Sequence, residues 1–145
     1  MLIREIMSSP AVTIRPDATV ADATRVLDRF SVTTLPVVDD EGRLLGLIGE
    51  ADVIGHLSTP DEHARGSRRA DEDPLVGDVM THRVLTADAD DGVAEVVALM
   101  TGTTLKSIPV LLHERVLGVI SRRDVVRALA RGDLDAGRAG EHVTA

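Results

Sequence analysis

VLGVISRRD, residues Val116–Asp124, and LLGLIGEAD, residues Leu44–Asp52, share one pattern. Each is a short apolar run holding a glycine, then a small residue, two variable positions and an aspartate. The apolar run is long enough for a buried strand and too short for a helix. A small residue with a carboxylate three positions later marks a helix start. The same strand-to-helix corner therefore occurs twice, and the rest of the chain is arranged around the pair.

Working outward from the corners, one register runs through both halves. Met7 and Met80, Val20 and Val93, and Pro36 and Pro109 each stand 73 residues apart; Gly46 and Gly118, and Asp52 and Asp124, stand 72 apart. The single deletion falls where Asp39–Arg43 is matched by the shorter His113–Arg115, a turn, where length changes are tolerated. This is an internal duplication.

Each copy reads as a short helix followed by β-α-β-β-α, an α/β (α+β) fold. In the first copy the expected elements are a short helix over Leu2–Met7, a brief strand over Ala11–Ile14, and a helix opened by Thr19 with Asp22 three residues on. Val20, Ala23, Leu27 and Phe30 supply its expected buried stripe. A hairpin follows, Thr34–Val38 and Leu44–Ile48 around the Asp39–Arg43 turn, then a helix over Glu50–Leu57. The second copy repeats this with a short helix over Leu75–Met80, a strand over Val84–Thr86 and a helix from Gly92 to about Met100. The hairpin Ser107–Leu112 and Arg115–Ile120 and a helix over Arg122–Ala130 complete it. The domain reading is a first repeat over 1–57, a polar linker over 58–74, a second repeat over 75–132 and a mobile tail over 133–145.

At 145 residues with 43% hydrophobic and 28% charged content, this is an ordinary globular composition. One half alone, roughly 60 residues, would bury only about 60% of its unfolded surface, so the halves are expected to share an interface. A net charge of −8 opposes nucleic-acid binding, which rests on Lys and Arg neutralising phosphates. One Phe and no Tyr or Trp leave no stacking platform for bases. No apolar run approaches the roughly 18 residues of a membrane span, the N-terminus has no signal-peptide pattern, and cysteine is absent; the expected location is cytoplasmic, without membrane contact. The five histidines have no metal-ligand spacing, and no nucleophile–base motif or phosphate-binding glycine loop is present. Asp88, Asp90 and Asp91 lack the glutamate that would complete a calcium loop. The chain is therefore read as not an enzyme, with no metal and no required cofactor.

The corner itself carries chemistry. Ser121-x-x-Asp124 is a capping box, which needs no ligand. It also aims a helix N-terminus, a natural anion site, at one end of a small sheet. Arg122 and Arg123 add positive charge there, and Lys106, the single lysine, precedes the partner strand. An aspartate beside such a site suits the paired hydroxyls of a ribose. Phosphate-favouring and ribose-favouring groups side by side point to a nucleotide.

The order IMSSPAVTI, VADA, TLPVV and GLIGEAD, together with the second copies of these stretches, over about Ile3–Leu57 and Leu75–Leu129, resembles a tandem cystathionine-β-synthase (CBS) domain pair, or Bateman module. The resemblance implies two β-α-β-β-α units packed by their sheets around a pseudo-two-fold axis, with clefts that bind adenosine-containing effectors. It further implies that Ser107, Ile108, Pro109, Ser121, Arg123 and Asp124 form one nucleotide site, to which the position of Lys106 adds that residue, and Thr34, Leu35, Pro36 and Asp52 its counterpart. The base is expected on Ser107–Pro109, the phosphate on Ser121 and Arg123, the ribose on Asp124. Gly49 departs from the pattern, which has Ser or Thr there, and Glu50-Ala51 replace Arg122-Arg123. The Asp52 site is therefore expected to be the weaker. The functional expectation is a regulatory module that senses AMP, ADP, ATP or an S-adenosylmethionine-like ligand, forms a homodimer and signals in trans to a protein target. The alternative is a scaffold for dimerisation or partner docking that binds no ligand.

Overall fold

The structure, a computed structural model of the chain, describes residues 1–58 and 73–132. The expected tail lies outside these residues, as does all of the expected linker except Ser58, Asp73 and Pro74. The fold is mixed α/β and forms two compact units, Val12–Val84 and Met1–Ala11 with Leu85–Ala145.

Within Val12–Val84, helix Val20–Phe30 opens as the sequence dictates. The Thr19 hydroxyl accepts from the Asp22 N–H while the Asp22 carboxylate accepts from the Thr19 N–H. Two further orphan donors of this first turn are met from far along the chain: Val20 N–H donates to the Pro74 carbonyl and Ala21 N–H to the Asp73 carboxylate, at 2.9 and 2.7 Å. Asp73 and Pro74 are thus pinned to the helix, where the sequence predicts linker. Strands β1 (Thr34–Val38) and β2 (Leu44–Gly49) pair antiparallel, with Thr34 opposite Gly49 and a register shift at Val37/Val38. Helices Glu50–Ser58 and Val76–Val79 complete the unit. Its core is Ile14, Val20, Ala23, Leu27, Leu35, Val37, Ile48, Val53 and Val76.

Two expectations fail here. Phe30 is 50% exposed, not part of the stripe. The helix ends on it, the chain reverses at Ser31 with φ 54°, and Val32 takes up the core contact while Arg29 lies over the Phe30 ring. Ala11–Ile14 is not a strand; Ile14 makes only an isolated parallel bridge to Val37.

In the other unit, β4 (Ser107–Leu112) and β5 (Arg115–Ser121) form the hairpin, and β3 (Ala87–Asp88) joins β4 in parallel at Val110 and Leu111. The expected strand over Val84–Thr86 is therefore displaced to Ala87–Asp88, the position that Ile14 holds in the first copy. His113 and Glu114, both at positive φ, make the tight turn that lets this hairpin be one residue shorter. Helices Val93–Gly102 and Arg122–Ala130 pack with the sheet around Ile3, Ala87, Ala89, Val93, Val96, Met100, Ile108, Val110 and Ile120.

Ile3, fully buried in that core, comes from the start of the chain, and Val76 plays the same part in the first unit. The two short leading segments have exchanged places. Ser8 exchanges backbone hydrogen bonds with Val119 at 2.9 and 3.0 Å, and Thr81 does so with Leu47 at 2.8 and 2.9 Å. Ile3 and Arg4 donate to the Asp91 and Ala89 carbonyls; Val76 and Gly77 donate to those of Ala18 and Pro16. These approaches explain the glycines of the two motifs. A Cβ on Gly118 would lie 2.5 Å from the Ser8 carbonyl oxygen, and one on Gly46 2.6 Å from that of Thr81.

Candidate functional site

The corner after β5 is built by the pairing of Ser107 with Ser121, which sets the start of β4 beside the N-terminus of helix Arg122–Ala130. Arg122 N–H donates to the Lys106 carbonyl at 3.0 Å, fixing Lys106 at the same corner. Lys106, Ser107, Ser121, Arg123 and Asp124 are thus brought together as the sequence predicts. Ile108 and Pro109 are fully buried, so their side chains belong to the core. Lys106 and Arg123 are exposed, and their charged groups make no ion pair among the described residues.

Arg122 is not available as the sequence reading supposes. Its guanidinium donates to the carbonyls of Leu105, Met100 and Thr103 at 2.9, 3.3 and 3.0 Å. A fork of five donors suits a cluster of orphan carbonyls at a helix C-terminus, and here it closes helix Val93–Gly102. The exposed positive charges left at this corner are those of Arg123 and Lys106.

Asp124 is 3% exposed and already well occupied. One oxygen accepts from the Ser121 N–H and hydroxyl at 2.8 and 3.0 Å; the other accepts from the Ser8 hydroxyl at 2.8 Å and from Arg127 at 3.5 Å. A carboxylate offers about four acceptor positions, and these donors take nearly all of them. The capping box forms, and a hydroxyl from 116 residues away completes it.

The corner after β2 differs in three ways. Asp52 is partly buried and, among the described residues, accepts from two donors, Gly49 N–H at 2.9 Å and the Thr81 hydroxyl at 3.1 Å. Gly49 supplies no hydroxyl, and a Cβ there would stand 3.0 Å from the Thr34 methyl and 3.1 Å from the Thr33 carbonyl oxygen. Exposed Glu50 sits where the other corner has Arg122. Leu35 and Pro36 are core residues, and Thr34 stands at the strand entry opposite Gly49.

Sequence reasoning missed Ser8 and Thr81. The signal was present: both are hydroxyl residues following the equivalent methionines Met7 and Met80. Of Asp88, Asp90 and Asp91, weighed as a calcium-loop fragment, Asp88 and Asp91 bind their own turn, accepting from the Asp90 N–H and the Asp88 N–H, while the Asp90 carboxylate pairs with Arg4. Among the described residues no group of three or more His, Asp or Glu could hold a metal, and no helix is long and apolar enough to cross a membrane. His63 and His142 lie outside those residues.

Comparison with known proteins returns one family. The family model of the CBS domain matches twice, over residues 3–59 and 76–131. Among curated proteins, the chain is 27% identical over 127 residues to L-aspartate semialdehyde sulfurtransferase of Methanocaldococcus jannaschii, covering 87% of the chain and 23% of that protein. It is 32% identical over 124 residues to inosine-5′-monophosphate dehydrogenase of the same organism, covering 85% of the chain and 22% of that protein. The chain thus spans under a quarter of the length of either relative. Among solved structures, the CBS domain pair of protein MJ0100 in complex with 5′-methylthioadenosine and S-adenosyl-L-methionine superimposes with a TM-score of 0.75 at 26% identity, over 92% of this chain and 98% of that one. CBSX2 in complex with AMP shares the fold with a TM-score of 0.78 at 23% identity, over 92% and 98%.

Proposed function

The chain belongs to the CBS-domain family, and from that membership we propose that it is a regulatory module that senses adenosine-containing ligands. The observation that carries this reading is the tandem match to a CBS pair that holds two adenosyl ligands, joined to a corner where Ser121, Lys106 and Arg123 converge. The phosphate-bearing ligands of the class, AMP, ADP or ATP, bind at the Asp124 corner: Arg123 and Lys106 supply charge, Ser121 a hydroxyl, and the backbone of Ser107–Pro109 the edge for the base. Ribose hydroxyls reach Asp124 by displacing the Ser8 hydroxyl. At the Asp52 corner, with Thr34, Leu35 and Pro36, the missing hydroxyl and the added Glu50 charge weaken phosphate binding. The loss of a charge-assisted contact, about 1.5–3 kcal/mol, is roughly tenfold to a hundredfold in affinity.

The proposed output is a change of shape or assembly read by a protein target. Binding shifts that equilibrium only by the ligand's differential affinity for two states. A homodimer through the helices is the proposed assembly. A groove of about 450 Å³ lined by Val97, Met100, Val125 and Val126 supports it, as do Ile54 and Val126, equivalent in the two copies and 64% and 61% exposed.

Calorimetric titration of AMP, ATP and S-adenosylmethionine tests the reading. Wild type is expected to bind at least one of them, with affinity for AMP falling at least tenfold in Arg123→Ala and Lys106→Ala. One observation favours the alternative of a scaffold without ligand: the Asp124 carboxylate is buried and filled. No heat from any adenosyl ligand would establish the scaffold.

A further inference from the structure

We propose that Arg122 is a positioning residue for the phosphate side of the Asp124 corner. It touches no ligand; it holds the loop Thr103–Lys106 in place, and with it the charge that Lys106 offers to a phosphate. This role presupposes that the corner binds a phosphate-bearing nucleotide, as proposed above. The loop joins helix Val93–Gly102 to β4, and the helix end sets the requirement, because the last carbonyls of a helix have no partner within it. In the first copy, helix Val20–Phe30 meets this with its own backbone: Ser31, at φ 54°, turns its N–H back to the Leu27 and Asp28 carbonyls. In the second copy the chain leaves the helix extended, with Thr103 at φ −141°, and closure passes to a side chain. Arg122 Nε donates to the Leu105 carbonyl at 2.9 Å, and one terminal nitrogen donates to those of Thr103 and Met100 at 3.0 and 3.3 Å.

The Arg122 N–H donates in turn to the Lys106 carbonyl at 3.0 Å, so the carbonyls of Thr103, Leu105 and Lys106 are all held by one residue. The Thr103 hydroxyl completes the loop, donating to the Leu99 carbonyl at 2.8 Å and accepting from the Leu105 N–H at 3.2 Å. Lys106 thus enters β4 from a fixed backbone. The fork is what this task needs: five N–H donors in one plane reach several carbonyls together, whereas an ammonium is a compact point charge on a flexible stem. The guanidinium also offsets the partial negative charge of a helix C-terminus, which would oppose an anion bound beside it. In the first copy the same place holds Glu50. There the backbone bond is kept, from the Glu50 N–H to the Thr33 carbonyl at 3.1 Å, but a carboxylate has no donor to give a helix end.

Calorimetric titration of AMP into full-length wild type, Arg122→Lys, Lys106→Ala and the double variant decides. Arg122→Lys keeps the charge and loses the fork, so its affinity is expected to fall as far as that of Lys106→Ala, roughly tenfold. The double variant is expected to fall no further, because both changes remove the same contact. A purely structural role for Arg122 lowers the melting temperature and leaves AMP affinity unchanged. A direct contact between Arg122 and the phosphate makes the two losses multiply, to about a hundredfold. Either result overturns the proposal and leaves the sensing reading standing. Failure of wild type to bind AMP overturns it as well, and titration of S-adenosylmethionine into the same wild type then shows whether the sensing reading survives. Should Arg122→Lys not fold, Arg122→Gln, whose amide can still donate to a carbonyl, takes its place in the cycle with the same outcomes.

Discussion

Single residues in this protein are explained by what approaches them. Gly46 and Gly118 look alike in the sequence to any glycine in a strand, yet each has another segment's carbonyl where its Cβ would be. Gly118→Ala and Gly46→Ala are therefore expected to lower stability by about 1–3 kcal/mol, the usual cost of overpacking. Gly55→Ala, inside helix Glu50–Ser58 with open space around it, is expected to raise it by about 0.5–1 kcal/mol. Urea midpoints of the three variants check the contrast. Gly49 makes the same point for binding. Gly49→Ser supplies the hydroxyl that the Asp52 corner lacks, but into contact with the Thr34 methyl and the Thr33 carbonyl oxygen. The expected result is lower stability and no gain in AMP affinity by calorimetry; a gain of tenfold would show that the corner lacks only the hydroxyl.

At the scale of elements, caps and turns decide where helices and hairpins begin, and they tie stability to pH. The Asp22 carboxyl is held below the ordinary aspartate range by the Thr19 N–H, then by the Thr19 hydroxyl and Arg25. Asp39 is lowered in the same direction, chiefly by the Arg43 N–H, with burial opposing. A carboxyl whose pKa is lower folded than unfolded stabilises the fold fully above its unfolded value, about 3.9 for aspartate, and that contribution is lost as pH falls toward the folded pKa. Asp22→Asn is therefore expected to melt below wild type at pH 7, with the two melting temperatures converging between roughly pH 4 and 2. A constant difference across that range would show that the carboxylate's charge contributes nothing. Both capping boxes and both hairpins were legible in the sequence, because their partners lie within a few residues. The small strand Ala87–Asp88 was misplaced because two residues pairing with a distant strand leave no periodicity of their own.

At the scale of the molecule, the compact units do not follow the sequence repeats. Val12–Val84 is one continuous stretch that holds its own core, including Val76 and the Thr81 bridge to β2. A fragment of residues 12–84 is expected to unfold cooperatively in urea. A fragment of residues 1–58 is expected not to, since it lacks Val76 and Thr81. Circular dichroism on the two fragments checks this; a cooperative transition in residues 1–58 would show that the first repeat closes on itself.

The sequence by itself determined the duplication, the β-α-β-β-α order, the two corners and the membership of one family, because each is written in local spacing repeated at a fixed interval. Only the tertiary structure decided which half each leading segment packs with, that Arg122 closes a helix while Arg123 stays exposed, and that Asp124 is already supplied with donors by Ser121 and Ser8. The physical reason is one of range. Spacing fixes which groups a residue meets within a turn or a hairpin, whereas the partners of Ile3, Arg122 and Asp124 are set by a chain path that brings together residues 17 to 116 positions apart.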